Sequence, residues 1–276
     1  MATIDRENPR RIFPPHGSCI YCGAKTDLTT EHIIPESLGG LLEMPEASCA
    51  TCASITTKFE QRFARNMYWP LRLKLGIKGK RHRRKKRPTH WNVCVDDGMT
   101  SQTFPVAIDD LPTMYYTVEM PPHGIVVGHL PSDSNPEMKI LFKVNREELE
   151  RFGKQMDAGQ WQITHFFDWD AFNLQLAKIA HGITVAACGS IGLELLLPKI
   201  IFGKAKTYSH FIGGIVGPSS FQNELTLFIK PLNREQYVSC YITLLNGKLP
   251  TYEVISARIT DIDVIAKNLR SFTRVS

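Results

Sequence analysis

The sequence predicts an α+β protein: a small N-terminal unit organised by a metal, then a larger α+β region with a mostly antiparallel sheet and a helix pair. Three observations carry this. Two Cys-x-x-Cys pairs, Cys19/Cys22 and Cys49/Cys52, lie close together near the start. Beyond about residue 91, alternating strand-like runs and segments of helical period follow one another. Near the end, "LLNGKL" places Asn246-Gly247 between two apolar runs, a hairpin signal because this dipeptide accepts positive φ.

The chain has 276 residues, 43% of them hydrophobic and 22% charged, the balance of a globular protein with a substantial core. The opening "MATIDRENPRR" has no apolar h-region, and the most apolar stretch, "ITVAACGSIGLELLLPKIIFG", carries Glu194, Pro198 and Lys199. That stretch reads as a buried helical pair rather than a membrane span, and the expected location is cytoplasmic. Seven cysteines are present. In a reducing compartment the paired ones read as metal ligands, and Cys94, Cys188 and Cys240 as small buried hydrophobes. The expected division is 1–70 for the metal unit, 71–90 for a basic connector and 91–276 for the C-terminal α+β region.

Residues 1 to about 16 are irregular. The next segment is the metal unit. Four thiolates on two tight turns make a closed tetrahedral zinc site with Zn–S distances of about 2.3 Å. With every position filled by protein, such a zinc is structural and does not activate water. It supplies folding energy to a unit too small to bury much core. Between the pairs, "LTTEHIIP" is strand-like and "ESLGG" is a glycine-rich loop; "LLEMPEASC" reads as a loop before the second zinc turn. A helix then runs through "CASITTKFEQRFARNMYW" to Pro70.

The connector holds Lys80, Arg81, Arg83, Arg84, Lys85, Lys86 and Arg87, seven basic residues in eight positions. The whole chain carries +6, so the remainder is close to neutral at −1. A concentrated segment of this kind neutralises phosphates through counterion release, independently of sequence. Downstream, "EMKILFKVN" is strand-like, and Asn145 with Glu148 forms a capping-box pattern for the helix "REELERFGKQM". Asp168 or Asp170 caps a long helix with Phe172, Leu176, Ile179, Ile183 and Ala187 at helical spacing. His165 and His181 are polar exceptions in this half, and both read as structural. "ELTLFIK" and "QYVSCYITLL" are strands.

The ordered set Cys-x-x-Cys, Glu31-His32-Ile33-Ile34-Pro35, Gly39-Gly40, Cys-x-x-Cys and helix resembles the HNH endonuclease family, of ββα-metal type, over about residues 17–65. The resemblance implies a phosphodiester hydrolase acting on nucleic acid, double-stranded DNA being the expected partner. It implies His32 as general base, whose ordinary pKa suits that role. It implies Glu31 as a ligand of a catalytic divalent ion, Mg²⁺ or Mn²⁺. Adjacent strand residues point to opposite faces, so a joint Glu31/His32 site requires a distorted strand end. The chain departs from the family where a helix Asn or His ligand is expected, since Ala53 and Thr57 stand there, and where the middle Asn is expected, since "LLEMPEASC" offers Glu43 and Glu46 instead. Ala53, Thr57 and Glu60 share one helix face, so Glu60 or Thr57 is the expected substitute ligand.

Two functions follow. The first is a metal-dependent HNH endonuclease or nickase, with a role in phage defence implied by analogy. The alternative is a non-catalytic, zinc-stabilised nucleic-acid-binding module. The C-terminal region carries no catalytic motif; regulation, partner binding and homodimerisation are its candidate roles.

Overall fold

The computed structural model describes residues 2–4, 11–77, 89–96, 101–130, 138–156, 167–204, 207–215 and 225–273. The basic run 80–87 and His165 lie outside the described residues.

After a short strand β1 (Ala2–Ile4), the N-terminal unit comprises β2 (Arg11–Ile12), β3 (Leu28–His32) and β4 (Leu42–Cys49), forming a sheet of order β2-β4-β3. Helix α1 (Ala50–Gln61) follows directly, continues as a π-helical turn (Arg62–Met67) and gives way to α2 (Trp69–Lys74). The strand–strand–helix order is that of the ββα expectation. Two expectations change: residues 1–16, read as irregular, contribute strands β1 and β2, and "LEMPEASC", read as a loop, is strand β4. It pairs antiparallel with β3, with Leu28 opposite Cys49, Thr29 opposite Ser48, Glu31 opposite Met44 and His32 opposite Glu43. The ladder is irregular between Thr29 and Glu31. Pro45 and Glu46, the latter at φ 51°, fall in this bulge, where a proline displaces no ladder bond.

The rest of the chain supplies β5 (His90–Asp96), β6 (Ser101–Ala107), β7 (Met114–Glu119), β8 (Lys139–Val144), α3 (Arg146–Met156), α4 (Trp169–Cys188), β9 (Leu193–Leu195), β10 (Ile212–Gly214), β11 (Leu225–Leu232), β12 (Glu235–Ile242), β13 (Tyr252–Ile259) and α5 (Ile262–Thr273). The main sheet is antiparallel, in the order β1-β11-β12-β13-β10, with β9 also on β13. β5–β6 and β7–β8 are separate antiparallel pairs. The architecture is therefore mixed α+β with mostly antiparallel pairing, as the sequence predicts.

Local chemistry explains the boundaries. Asp168, not Asp170, caps α4: its Oδ1 accepts the Ala171 N–H at 2.9 Å. Asn145 Oδ1 accepts from Glu148 N at 3.2 Å, but the Glu148 carboxylate accepts the Thr113 N–H instead of closing the capping box. The segment expected to form a buried helical pair does so only in part: α4 ends at Cys188, Gly189 and Gly192 take positive φ, "LEL" becomes strand β9, and a one-turn helix, Pro198–Ile201, packs back on α4. Helix α5 also packs against α4. Asn246 and Gly247 do adopt positive φ, yet within the longer connection from β12 to β13. The two-residue hairpin turn is Asn233-Arg234, at φ 47° and 70°, joining β11 to β12.

One hydrophobic core runs through both halves of the chain. It contains Ile33, Phe59, Phe63 and Met67 of the N-terminal unit, Phe172, Leu176 and Ile183 of α4, and Val238 and Val254 of the sheet. Helix α4 is buried on all sides, packed against α1 on one flank and β12 and β13 on the other. A helix buried all round should be apolar throughout. This one carries Lys178, His181 and Gln175, each at most 1% exposed.

Candidate active site

The zinc cluster comes first, because it fixes the strand that carries His32. Cys19 and Cys22 sit on a turn closed by Gly23 N donating to Cys19 O and Cys19 N to Ala24 O. Ile20 N then donates to Ala47 O, docking the turn onto β4. Cys49 ends β4 and caps α1, its Sγ accepting from Cys52 N at 3.5 Å. That contact draws the Cys49 thiol down to about 7, while burial and the neighbouring sulfurs push the Cys52 thiol up. All four sulfurs lie within 4.8 Å of one another, and Cys22 and Cys49 are 3.7 Å apart. A tetrahedron with Zn–S of about 2.3 Å has edges of about 3.8 Å, so the donor set fits zinc. The cluster points to a structural zinc, with no position left for water.

His32 ends β3. Its side chain is 29% exposed, and Nδ1 lies 3.5 Å from Glu43 Oε1. The register explains the contact: residues directly opposite in an antiparallel ladder present side chains to the same face. Glu36, in the single 3₁₀ turn after Pro35, completes a group in which His32, Glu36 and Glu43 each offer a donor atom within 4.8 Å of the others. Arg72 ties this turn to the helices, donating through Nε to Ser37 O and through Nη1 to Ala64 O at 2.7 Å.

Glu31 goes the other way. Strand alternation holds at this position despite the bulge, so Glu31 points inward and is 4% exposed. There it meets Lys178 of α4, with Oε1 2.6 Å from Nζ. Glu60 of α1 contacts the same Nζ at 2.8 Å. The ammonium also donates to His32 O and, at 3.4 Å, to Ile33 O. Burial alone would lower the Lys178 pKa, but the two carboxylates outweigh it and raise it. Glu60 is pushed up, chiefly by burial and by Glu31, against the pull of Lys178. The two directions agree once charges are counted: one ammonium faces two carboxylates, and the second is left under-compensated. The buried Tyr21 hydroxyl lies beside this group, and burial together with Glu31 and Glu60 holds it well above its ordinary pKa.

The site residues expected from sequence thus fall into two groups. The four cysteines assemble. Glu31 and Glu60 also come together, but around Lys178 rather than as an open site. Thr57 lies on the exposed side of α1. His32 faces Glu43, which with Glu46 stands where the family's middle Asn is missing, and Glu36, which the sequence pattern did not single out. Lys178 escaped it as well, though a visible signal marks that residue: a lone charge within "AFNLQLAKIAHGITVAA". His181 is structural. Burial lowers its pKa to about 4, so it is neutral; Nε2 donates to Ile20 O at 2.9 Å and the ring stacks on Tyr21 at 5.1 Å.

Among the described residues no helix is long and apolar enough to cross a membrane. No curated protein and no solved structure matches the chain. Residues 19–68 match the family model described as HNH endonuclease, and those bounds take in the cysteine cluster, Glu31-His32, β4 and α1. That segment, built around four cysteines, is thus similar to an HNH endonuclease unit.

Proposed function

We propose that this protein hydrolyses phosphodiester bonds in DNA, with His32 as general base and a divalent ion as its companion. The observation that carries this reading is the placement of His32. It stands partly exposed at a strand end braced by the cysteine cluster, with Glu43 against Nδ1. A carboxylate on Nδ1 favours the tautomer that leaves Nε2 able to take a proton. Nε2 would accept the proton of a water whose oxygen attacks phosphorus, as the bond from phosphorus to the leaving sugar oxygen breaks.

Glu36 and Glu43 fit a hard cation better than Glu31, Glu60 and Thr57, because Lys178 already engages both Glu31 and Glu60. An ion there, Mg²⁺ or Mn²⁺, would supply positive charge beside a phosphate oxygen. Lys80, Arg81, Arg83, Arg84, Lys85, Lys86 and Arg87 are the proposed phosphate contacts. One such site cuts one strand per encounter, so nicking is the expected primary product.

The test is conversion of supercoiled plasmid in Mg²⁺, Mn²⁺ or EDTA. His32→Ala should lower cleavage by about 10²–10⁴-fold, with zinc content and DNA binding retained. Cleavage by His32→Ala at the parent rate would overturn the assignment. Ala53 and Thr57, where the family resemblance calls for a helix ligand, favour a second reading: a zinc-stabilised nucleic-acid-binding module. DNA binding without nicking under every metal condition would select it.

A further inference from the structure

The group around Lys178 has the make-up of a cation site. Four oxygens converge on one point: the carboxylates of Glu31 and Glu60 and the carbonyls of His32 and Ile33. Mixed carboxylate and carbonyl donors are what hard metal ions take. Here an ammonium supplied by α4, far along the chain, fills the place, and its three N–H donors match the closest three oxygens. A buried carboxylate pair cannot stay ionised without a cation. Glu60, one-fifth exposed, provides the route by which solvent reaches the group.

We propose that Glu31, Glu60 and the His32 and Ile33 carbonyls form a cation site whose resident cation is Lys178, and that Lys178 positions His32 from the C-terminal region. The second half rests on the nuclease reading above; the first does not. The geometry makes the N-terminal unit dependent on α4. Lys178 holds the main chain of the residue whose side chain faces Glu43, while Gly182 approaches the next residue, Ile33, and His181 bonds Ile20 O on the zinc turn. The N-terminal unit separated from α4 would keep its cysteines but lose the counter-charge for Glu31.

The experiment uses the full chain with zinc loaded and Mn²⁺ as probe. Lys178→Ala should lower the melting temperature by at least about 5 °C and gain a Mn²⁺ stabilisation beyond that of the parent. Lys178→Ala combined with Glu60→Gln should lose that gain. Lys178→Arg should behave as the parent toward Mn²⁺. A Lys178→Ala protein that responds to Mn²⁺ no more than the parent overturns the cation site. So does a parent whose own Mn²⁺ response disappears on Glu60→Gln, because the ion would then enter the pair with Lys178 in place. If Lys178→Ala does not fold, Lys178→Gln takes its place, and recovery of the folded circular dichroism signal on refolding with Mn²⁺ is the readout.

Positioning is read separately, from the His32 imidazole resonances by NMR at fixed pH. They should shift in Lys178→Ala and return in Lys178→Arg; unchanged resonances overturn that half. A parent that does not cut plasmid refutes the nuclease reading and with it the second half, and leaves the melting outcomes decisive for the cation site.

Discussion

Gly40 tests the placement of His32 from its backbone side. A Cβ added there would lie 1.9 Å from Ile34 O, 2.5 Å from Ile34 C and 2.7 Å from Ile34 Cβ. The obstruction is main chain, so no rotamer relieves it. To regain an ordinary contact of about 3.5 Å, Ile34 and the turn must separate by roughly 1.5 Å. Ile34 is buried, and Gly40 N already donates to Pro35 O at 3.2 Å, so neither side is free to move. Overpacking of this kind costs about 1–3 kcal/mol, and a backbone clash belongs at or above the upper end. We expect Gly40→Ala to lose about 3 kcal/mol, roughly a hundredfold in the folding constant. Gly39→Ala makes the comparison: it strains a residue at φ 82° and should cost about 1 kcal/mol. Urea denaturation followed by circular dichroism measures both, with m-values compared to confirm a common unfolded state. Because Ile34 lies two residues from His32, the forced shift should also lower plasmid cleavage by about 10-fold or more. A Gly40→Ala protein within about 1 kcal/mol of the parent would refute the close approach and the turn geometry built on it.

Four further outcomes are expected. Gly182→Ala places its methyl 3.4 Å from Ile33 Cγ1, an ordinary contact, so helix propensity should prevail with a gain of about 0.5–1 kcal/mol in the same denaturation assay. Replacing Cys49 and Cys52 together by Ser should lower bound zinc below one equivalent by elemental analysis and unfold β3 and β4, seen as loss of amide protection. Burial tends to raise the Glu253 pKa, but His123, Lys230 and Ser239 outweigh it and hold it at about 2. A depressed carboxylate stabilises the fold above its unfolded value, so stability should fall between about pH 4.5 and 2, and Glu253→Gln should flatten that part of the melting profile. Neutralising Lys85, Lys86 and Arg87 should reduce the slope of log affinity against log salt by up to about 0.9 for each phosphate left without its cation, and base preference should stay as it is.

Much of the N-terminal unit is legible from sequence because its signals are local. A Cys-x-x-Cys turn is specified by a few adjacent residues, and two of them imply a closed tetrahedron before any contact is known. Alternation in "LTTEH" and the helix after Cys49 are equally local. Strand β4 is not, because Pro45 and Glu46 argue against a strand until a bulge opposite Thr30 accommodates them. In the C-terminal half, Asn246-Gly247 correctly marks a turn of positive φ, while the tight hairpin turn falls to Asn233-Arg234, whose residue types signal it weakly.

The site divides along the same line. Chain spacing alone brings the zinc cluster together and sets His32 in a nuclease-like setting, so both are written in the residue order. The partners of those groups come from packing. Glu43 meets His32 only through the β3–β4 register, and Lys178 reaches Glu31 and Glu60 only because α4 packs against α1. A register depends on how two strands pair, and a buried ion pair joins residues more than a hundred positions apart. Neither leaves a pattern within any single segment, so neither could be read before the chain was folded.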